Sequence, residues 1–342
     1  MADQGVVLGE PGSVALEEIH VDPPGPGEVL VRIEATGVCH SDLHVIEENG
    51  WHHALPVLLG HEGAGSVVRA GDGVPLQRGD RVVLGWKAAC GECAMCRQGR
   101  PRRCKRPPAA SGRLHRADGT DLTPVLRTGT FATHTVVPAA AAVRVPPELP
   151  VEQACLIGCA VATGVMSVLE TARVPAGARV AVIGCGAVGL SVIQGARIAR
   201  ASEIRAIDLD GRKLEQATRF GATHTGPGPA DFVFDVVGRG STFEQALGLV
   251  ATGGTVVLIG LSPAGETAEI DLPALFGRRA SILVSHGGDH LPEEDFPRLA
   301  AWALDGTLDL AGMVTRTAPL DAWDDALRAM RGGDVIRTVL LP

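Results

Sequence analysis

The chain has 342 residues, a formal net charge of −8, 45% hydrophobic and 20% charged residues, and no tyrosine. That length suits two domains of ordinary size. The acidic balance excludes a generic nucleic-acid or anionic-membrane surface, and no stretch approaches the roughly eighteen apolar residues of a membrane span.

The N-terminus, MADQGVVLGEPG, lacks the basic and apolar regions of a secretory signal. The expected compartment is the cytoplasm, where thiols stay reduced. The first third then reads as short Val-rich strands, EVLVRIEATGV, GAGSVVRAG and DRVVLGW, punctuated by turns such as VDPPGPGE. Together they predict an irregular, mostly antiparallel β domain. Next comes CGECAMCRQGRPRRC, with Cys90, Cys93, Cys96 and Cys104 spaced C-x2-C-x2-C-x7-C. Such spacing lets a loop bring four thiolates to tetrahedral corners around a structural zinc. Disulfides between residues three apart would be strained, and an iron–sulfur cluster is the alternative occupant. The basic run Arg100 to Arg106 reads as a solvated loop face, and the polar stretch from Lys105 to Thr128 as a turn-rich loop with His115 exposed in it.

Near Pro150 the texture changes. RVAVIGCGAVGLSVIQGARIAR is an apolar strand, a glycine turn and a helix; EIRAIDLD and GRKLEQATRFGA repeat strand and helix, with Gly221 as a stop. DFVFDVVG, TFEQALGLV, GTVVLIG and ASILVS continue an alternation that implies a doubly wound parallel sheet. Gly184, Gly186 and Gly189 form G-x-G-x-x-G directly after the strand VAVI, and Asp208 closes the next strand. The first glycine permits the tight turn, the second lets backbone approach a pyrophosphate, and the third lets helix and strand pack. Ala187 and Val188 complete that cofactor-binding turn, while Cys185 reads as a buried small hydrophobe. A carboxylate at Asp208 accepts from an adenosine ribose and repels a 2′-phosphate, which favours NAD over NADP. The tail adds two helices, FPRLAAWALDG and DAWDDALRAMRGG, and the apolar VIRTVLLP.

The motifs GVCHSD, GHEGAG, the four-cysteine loop, GCAVATG, GCGAVGL and VIRTVL follow one another in an order that resembles the zinc-dependent alcohol dehydrogenases of the medium-chain dehydrogenase/reductase superfamily. The resemblance covers essentially the whole chain. It implies an α/β architecture: a GroES-like, β-rich catalytic domain (1–160 and 285–342) carrying both zinc sites, and a Rossmann NAD-binding domain (161–284), with the active site in the cleft between them. It further implies that Cys39, His61 and Cys159 hold a catalytic zinc, with Glu62 a carboxylate near the metal and Asp42 the acid that orients His61. Ser41 resembles the hydroxyl that takes the substrate proton, and His44 the end of the relay that passes it to solvent by way of the nicotinamide ribose. His40 and Arg337 match pyrophosphate contacts, Lys213 an adenosine-ribose contact and Thr163 a nicotinamide contact. Trp51 and Trp86 fall near positions that line the substrate channel of relatives, which suggests small or flat alcohols.

The reaction this implies is reversible hydride transfer between a primary or secondary alcohol and NAD, giving an aldehyde or ketone. Two zinc ions per chain, a small-molecule substrate, no nucleic-acid or membrane partner, and a homodimer or homotetramer are expected. The competing readings are a relative that retains NAD(H) permanently and, from another class, a non-catalytic nucleotide-binding protein on the same fold.

Overall fold

The computed structural model describes residues 2–342. The chain divides into two compact units, Met1–Cys159 with Leu291–Pro342, and Ala160–His290.

The first unit is built on two sheets. One runs Leu114–Arg116, Ser13–Val21, Asp3–Glu10, Val57–Leu58, Thr123–Pro124. The other runs Ala142–Arg144, Arg81–Leu84, Glu62–Ala70, Glu28–Gly37, Arg337–Leu341, Val314–Pro319, with His134–Pro138 also pairing onto Glu28–Gly37. Alternation decides which faces are inside. Along Glu28–Gly37, Val29, Val31 and Ile33 are buried against Val67, Val82 and Leu84, while Arg32 between them is exposed. The last strand joins this sheet, placing Val339 opposite Gly37 and Leu340 opposite Thr36. On the other edge of the same strand, Gly37 faces Glu62. A Cβ at Gly37 would lie 2.2 Å from Glu62 Oε2, so only glycine leaves room for that carboxylate.

The stretch Lys105–Thr128 is more regular than expected. It contributes the strand Leu114–Arg116, which puts His115 opposite His20. His115 is therefore not an exposed loop residue: its ring lies 2.9 Å from Asp121 and 3.2 Å from Asp22, and these carboxylates fix it. A three-residue strand carrying two basic side chains gave no alternation to read.

The second unit carries six parallel strands in the order His224–Thr225, Glu203–Ile207, Arg179–Ile183, Ala230–Asp235, Val250–Leu258, Ser281–Val284. Val180, Ala181 and Val182 are fully buried in succession, as expected where helices cover both faces of a sheet. The strand order reverses between Arg179–Ile183 and Ala230–Asp235, and the carboxyl ends at such a reversal form a binding crevice. The glycine turn lies there. Among the described residues no single helix is long and apolar enough to cross a membrane.

Candidate active site

Two clusters of metal-ligating side chains form in the first unit. The first is the four-cysteine loop. Its sulfurs stand 3.6 Å (Cys93–Cys96), 3.6 Å (Cys90–Cys104), 3.9 Å (Cys93–Cys104) and 4.0 Å (Cys90–Cys96) apart. A tetrahedron with Zn–S bonds of about 2.3 Å has edges of ~3.8 Å, whereas a disulfide requires about 2.05 Å. All four cysteines are unbridged. The Cys90 and Cys93 amides donate to the sulfurs of Cys104 and Cys90, each at 3.3 Å. Hydrogen bonds from the backbone at Cys96 and Lys105 bring the Cys93 thiol down to about 6. The donor set fits a closed zinc cage, with every corner taken by protein.

The second cluster gathers Cys39, His61, Glu62 and Cys159, whose ligand atoms all lie within 4.8 Å of one another. Cys39 precedes the helix His40–Glu47, and the Asp42 carboxylate returns to accept the Cys39 amide at 3.0 Å. The other Asp42 oxygen accepts the Gly60 amide and lies 3.2 Å from His61 Nδ1. Since an ionised carboxylate only accepts, Nδ1 carries a proton, and Nε2 is the nitrogen left to coordinate a cation once its own proton is displaced. That Nε2 is buried without a hydrogen-bond partner, as is Glu62 Oε2. The other Glu62 oxygen accepts from Arg337 at 2.7 Å, and Arg337 also donates to the Val38 carbonyl at 2.8 Å.

The charges in this cluster are strongly displaced. Burial pushes Glu62 up to about 7, with Arg337 pulling against it. A hydrogen bond from Cys159, helped by Arg337 and His61, draws Cys39 well below the ordinary thiol range despite burial, while the same hydrogen bond raises Cys159. Burial alone would lower His61, but Asp42 and Cys39 raise it well above its usual value. Two thiols and an imidazole thus compete for shared protons in a dry site, and a divalent cation replaces those protons. The buried, unpartnered Nε2 is the observation that fits this site to zinc.

Around the cluster, Ser41 is half-buried with its Oγ 3.9 Å from the Cys39 sulfur. His44 Nδ1 stands 3.5 Å from a Glu48 carboxylate oxygen, and its ring lies 6.4 Å from that of Trp51. Arg337, expected on a pyrophosphate, is held at Glu62 in the interior of its own unit. His40 is exposed. The Glu62–Arg337 pair was not anticipated, because it follows from which strands lie side by side.

In the second unit, the glycine turn links Arg179–Ile183 to the helix Ala187–Ile198. Gly184 has φ +94°, a conformation that favours glycine. A Cβ at Gly189 would lie 1.8 Å from the Gly184 carbonyl oxygen, whereas one at Gly186 would meet nothing within 4 Å. The Gly186 backbone, at the helix N-terminus, is thus bare where a phosphate is bound by amides, so the turn fits a dinucleotide. Asp208 accepts from the Cys185 and Asp210 amides at 2.8 and 3.0 Å. Cys185 is buried. Lys213 is half-buried in the helix Gly211–Arg219, and Thr163 is buried in the helix Ala160–Met166.

Comparison with known proteins accords with these sites. Residues 25–147 match the family model for the alcohol dehydrogenase GroES-like domain, and residues 187–305 that for zinc-binding dehydrogenases. The chain is 36% identical over 369 residues to S-(hydroxymethyl)glutathione dehydrogenase of Escherichia coli O1:K1 / APEC, covering 99% of this chain and 100% of that one. A zinc-binding alcohol dehydrogenase domain protein from Burkholderia ambifaria superposes with a TM-score of 0.94 at 30% identity, covering 100% of this chain and 99% of that one. Benzyl alcohol dehydrogenase from Acinetobacter calcoaceticus superposes with a TM-score of 0.91 at 27% identity, with the same coverage.

Proposed function

The chain belongs to the zinc-dependent alcohol dehydrogenases of the medium-chain dehydrogenase/reductase superfamily, and from that premise we propose how its residues share the work. The protein is an NAD-dependent zinc oxidoreductase acting on small-molecule alcohols. In this reading Cys39, His61 and Cys159 hold the catalytic zinc, and Cys90, Cys93, Cys96 and Cys104 hold a structural one. The observation that carries the assignment is the orphaned His61 Nε2 among two sulfurs and a carboxylate.

When bound, the catalytic zinc supplies Lewis acidity that makes an alcohol proton easier to remove near neutrality, and NAD supplies the two-electron acceptor. The chain's own residues do the rest. Asp42 keeps His61 in the tautomer that exposes Nε2. Ser41 Oγ takes the hydroxyl proton, and His44 passes it towards solvent. Glu62 Oε2 offers a second carboxylate oxygen beside the ligands, held in place by Arg337. Gly184, Gly186, Ala187, Val188 and Gly189 would cradle the pyrophosphate, with His40 and Arg337 as further contacts; Asp208 and Lys213 would take the adenosine ribose, and Thr163 would pack on the nicotinamide. Loss of one hydride and one proton takes an alcohol to its aldehyde or ketone; bound NAD would supply the hydride acceptor, and Ser41 and His44 the way out for the proton.

S-(hydroxymethyl)glutathione and benzyl alcohol, named for two relatives, both present a –CH2OH group, so compounds with a primary hydroxymethyl group lead the expected substrates. Eight unbridged cysteines support a reducing, cytoplasmic setting. A homo-oligomer is supported by the outer strand Ser281–Val284, which among the described residues pairs only with Val250–Leu258 and exposes Val284 at 66%, and by Phe276, 86% exposed on the helix Leu272–Arg278.

The test is metal analysis together with turnover of primary, secondary and aromatic alcohols followed by absorbance of reduced nicotinamide. Two zincs and NAD-linked oxidation are expected. Full turnover by metal-stripped protein would overturn the reading.

A further inference from the structure

We infer that Arg102 and Asp295 couple the two metal sites of the first unit: the four-cysteine cage, when closed, holds Cys159 in place through the helix Pro292–Leu304. The inference rests on the two-zinc reading above and adds Arg102 and Asp295 to it as positioning residues.

The first observation is how the cage loop is fastened. Arg102 lies in the single turn Pro101–Arg103, just before Cys104. The Arg103 amide donates to the Arg100 carbonyl at 3.0 Å and the Cys104 amide to the Pro101 carbonyl at 2.9 Å, so the place of Cys104 in the cage fixes the place of Arg102. The sulfurs of the loop contact one another, but Arg102 reaches out of it. Its guanidinium donates to the two oxygens of Asp295 at 2.5 and 3.4 Å, and to Glu294 at 2.8 Å. The Asp295 side chain is 1% exposed, and a carboxylate so deep depends on its cation. The same Asp295 oxygen accepts the Leu291 amide at 2.7 Å. One carboxylate thus starts the helix Pro292–Leu304 and receives the cage loop.

The second observation is what that helix presses on. Pro292 and Phe296 are buried and close over Gly85, where an added Cβ would lie 3.0 Å from each. Gly85 follows Leu84, whose carbonyl oxygen would lie 2.7 Å from a Cβ at Gly158. The helix also packs on the turn Cys155–Gly158, every residue of which is buried, and Cys159 comes next. At Gly158 a methyl group has no room and at Gly85 very little, so helix, strand end and turn shift together and do not slide past one another.

These contacts give the cage two states to choose between. Closed, it presents Arg102 to Asp295. Open, it lets Arg102 leave, the buried carboxylate loses its cation, and the helix start must move or take in water. That movement reaches Cys159 through Gly85 and Gly158. By linkage the coupling is reciprocal, so each cation favours retention of the other.

The experiment follows metal transfer from the full chain, loaded with two zincs, to the chelator 4-(2-pyridylazo)resorcinol, beside a thermal melt. Cys159→Ala protein, with the cage loaded alone, identifies the cage phase; the other phase belongs to Cys39, His61 and Cys159. Cys104→Ser, which opens the cage, should speed release from that second cluster about 10-fold, an ordinary size for coupling between sites. Arg102→Met should speed it similarly, and the two changes together should add little, because both break one link. Arg102→Lys keeps the charge without the planar fork and should fall between. Arg102→Met strands Asp295 and lowers the melt. Arg102→Met with Asp295→Asn removes both charges, so it should regain the melt and still release quickly. Arg116→Met, which breaks the pair with Glu17 in the same unit, should leave release unchanged. Wild-type release from Arg102→Met with Asp295→Asn, equal acceleration by Arg116→Met, or full multiplication of the Arg102→Met and Cys104→Ser effects overturns the inference and leaves both zincs in place. Wild-type protein that takes up fewer than two zincs removes the two-zinc reading and this inference with it.

Discussion

Replacing Gly186 by alanine separates folding from cofactor binding. Gly186 has φ −75° and ψ −171°, backbone that alanine adopts freely, and its added Cβ would meet no atom within 4 Å. The folded chain should therefore accept the methyl group, and the loss of glycine freedom in the unfolded chain should add about 0.4–1 kcal/mol of stability. The dinucleotide fares differently. A methyl group there holds the pyrophosphate off the helix N-terminus and breaks one or two hydrogen bonds to a charged acceptor, each worth roughly 1.5–3 kcal/mol. A loss of about 2–4 kcal/mol corresponds to roughly 30- to 1,000-fold weaker binding. Titration of NADH by fluorescence, beside a thermal melt of the same protein, reads both quantities. Gly189→Ala is the contrast: its Cβ would lie 1.8 Å from the Gly184 carbonyl oxygen, so strand and helix must part and the melt should fall by the equivalent of about 1–3 kcal/mol. Unchanged NADH affinity in Gly186→Ala would refute close backbone approach at that residue. A lowered melting point would refute the open space.

Other perturbations probe the remaining parts. Arg337→Met strands the Glu62 carboxylate in the interior and should cost about 3–5 kcal/mol in denaturant unfolding; Glu62→Gln added to it should recover part, and no recovery would mean the pair is not the source. Cys159→Ala should lose one zinc and the activity while Cys104→Ser loses the other zinc and thermal stability, and an active Cys159→Ala protein would return that cysteine to a packing role. Asp208→Gly should raise the kcat/KM ratio of NADP over NAD, at some cost in overall affinity because the Cys185 and Asp210 amides lose their acceptor; an unchanged ratio would place the discrimination elsewhere. Val284→Lys should lower the mass seen by light scattering if the outer strand pairs between copies, and an unaltered assembly would exclude that edge.

The parts of the molecule that could be read from residue order alone are those whose geometry is local. The turn Gly184–Gly189 and the loop Cys90–Cys104 each confine their function to a few successive residues, so spacing translates directly into shape. The alternation of strand and helix from Arg179 onward was legible for the same reason. Cys39, His61 and Cys159 are different. They are brought together by strand pairing, with Gly37 opposite Glu62 on one side and Val339 on the other, and no periodicity announces that register; only family resemblance pointed to them. Arg337 was also legible only in part. Its place in VIRTVL suggested a phosphate contact, while its ion pair with Glu62 depends on which strand lies beside Glu28–Gly37, a property of the assembled sheet. His115 was misplaced because its strand is held by pairing with Ser13–Val21 and by two aspartates, not by any hydrophobic pattern of its own.

The two cysteine clusters also differ in how well they satisfy themselves, and this separates their roles without reference to any relative. In the loop Cys90–Cys104, sulfurs contact one another and receive backbone amides, and much of the loop faces water. Its donor set is complete, so a cation there has nothing left to offer a substrate. In the second cluster the chain keeps His61 Nε2 and Glu62 Oε2 buried without partners, each orphan costing about 1–3 kcal/mol, beside a buried ion pair whose desolvation offsets much of its attraction. A fold selected for stability alone would replace these groups with apolar ones of similar size. Their retention in a dry interior makes sense only if something outside the chain completes them. Two sulfurs and an imidazole would fill three corners of a tetrahedron, and the fourth would fall to Glu62 Oε2 or to an oxygen from outside the chain, so in the proposed reading the carboxylate and an alcohol oxygen would compete for one corner.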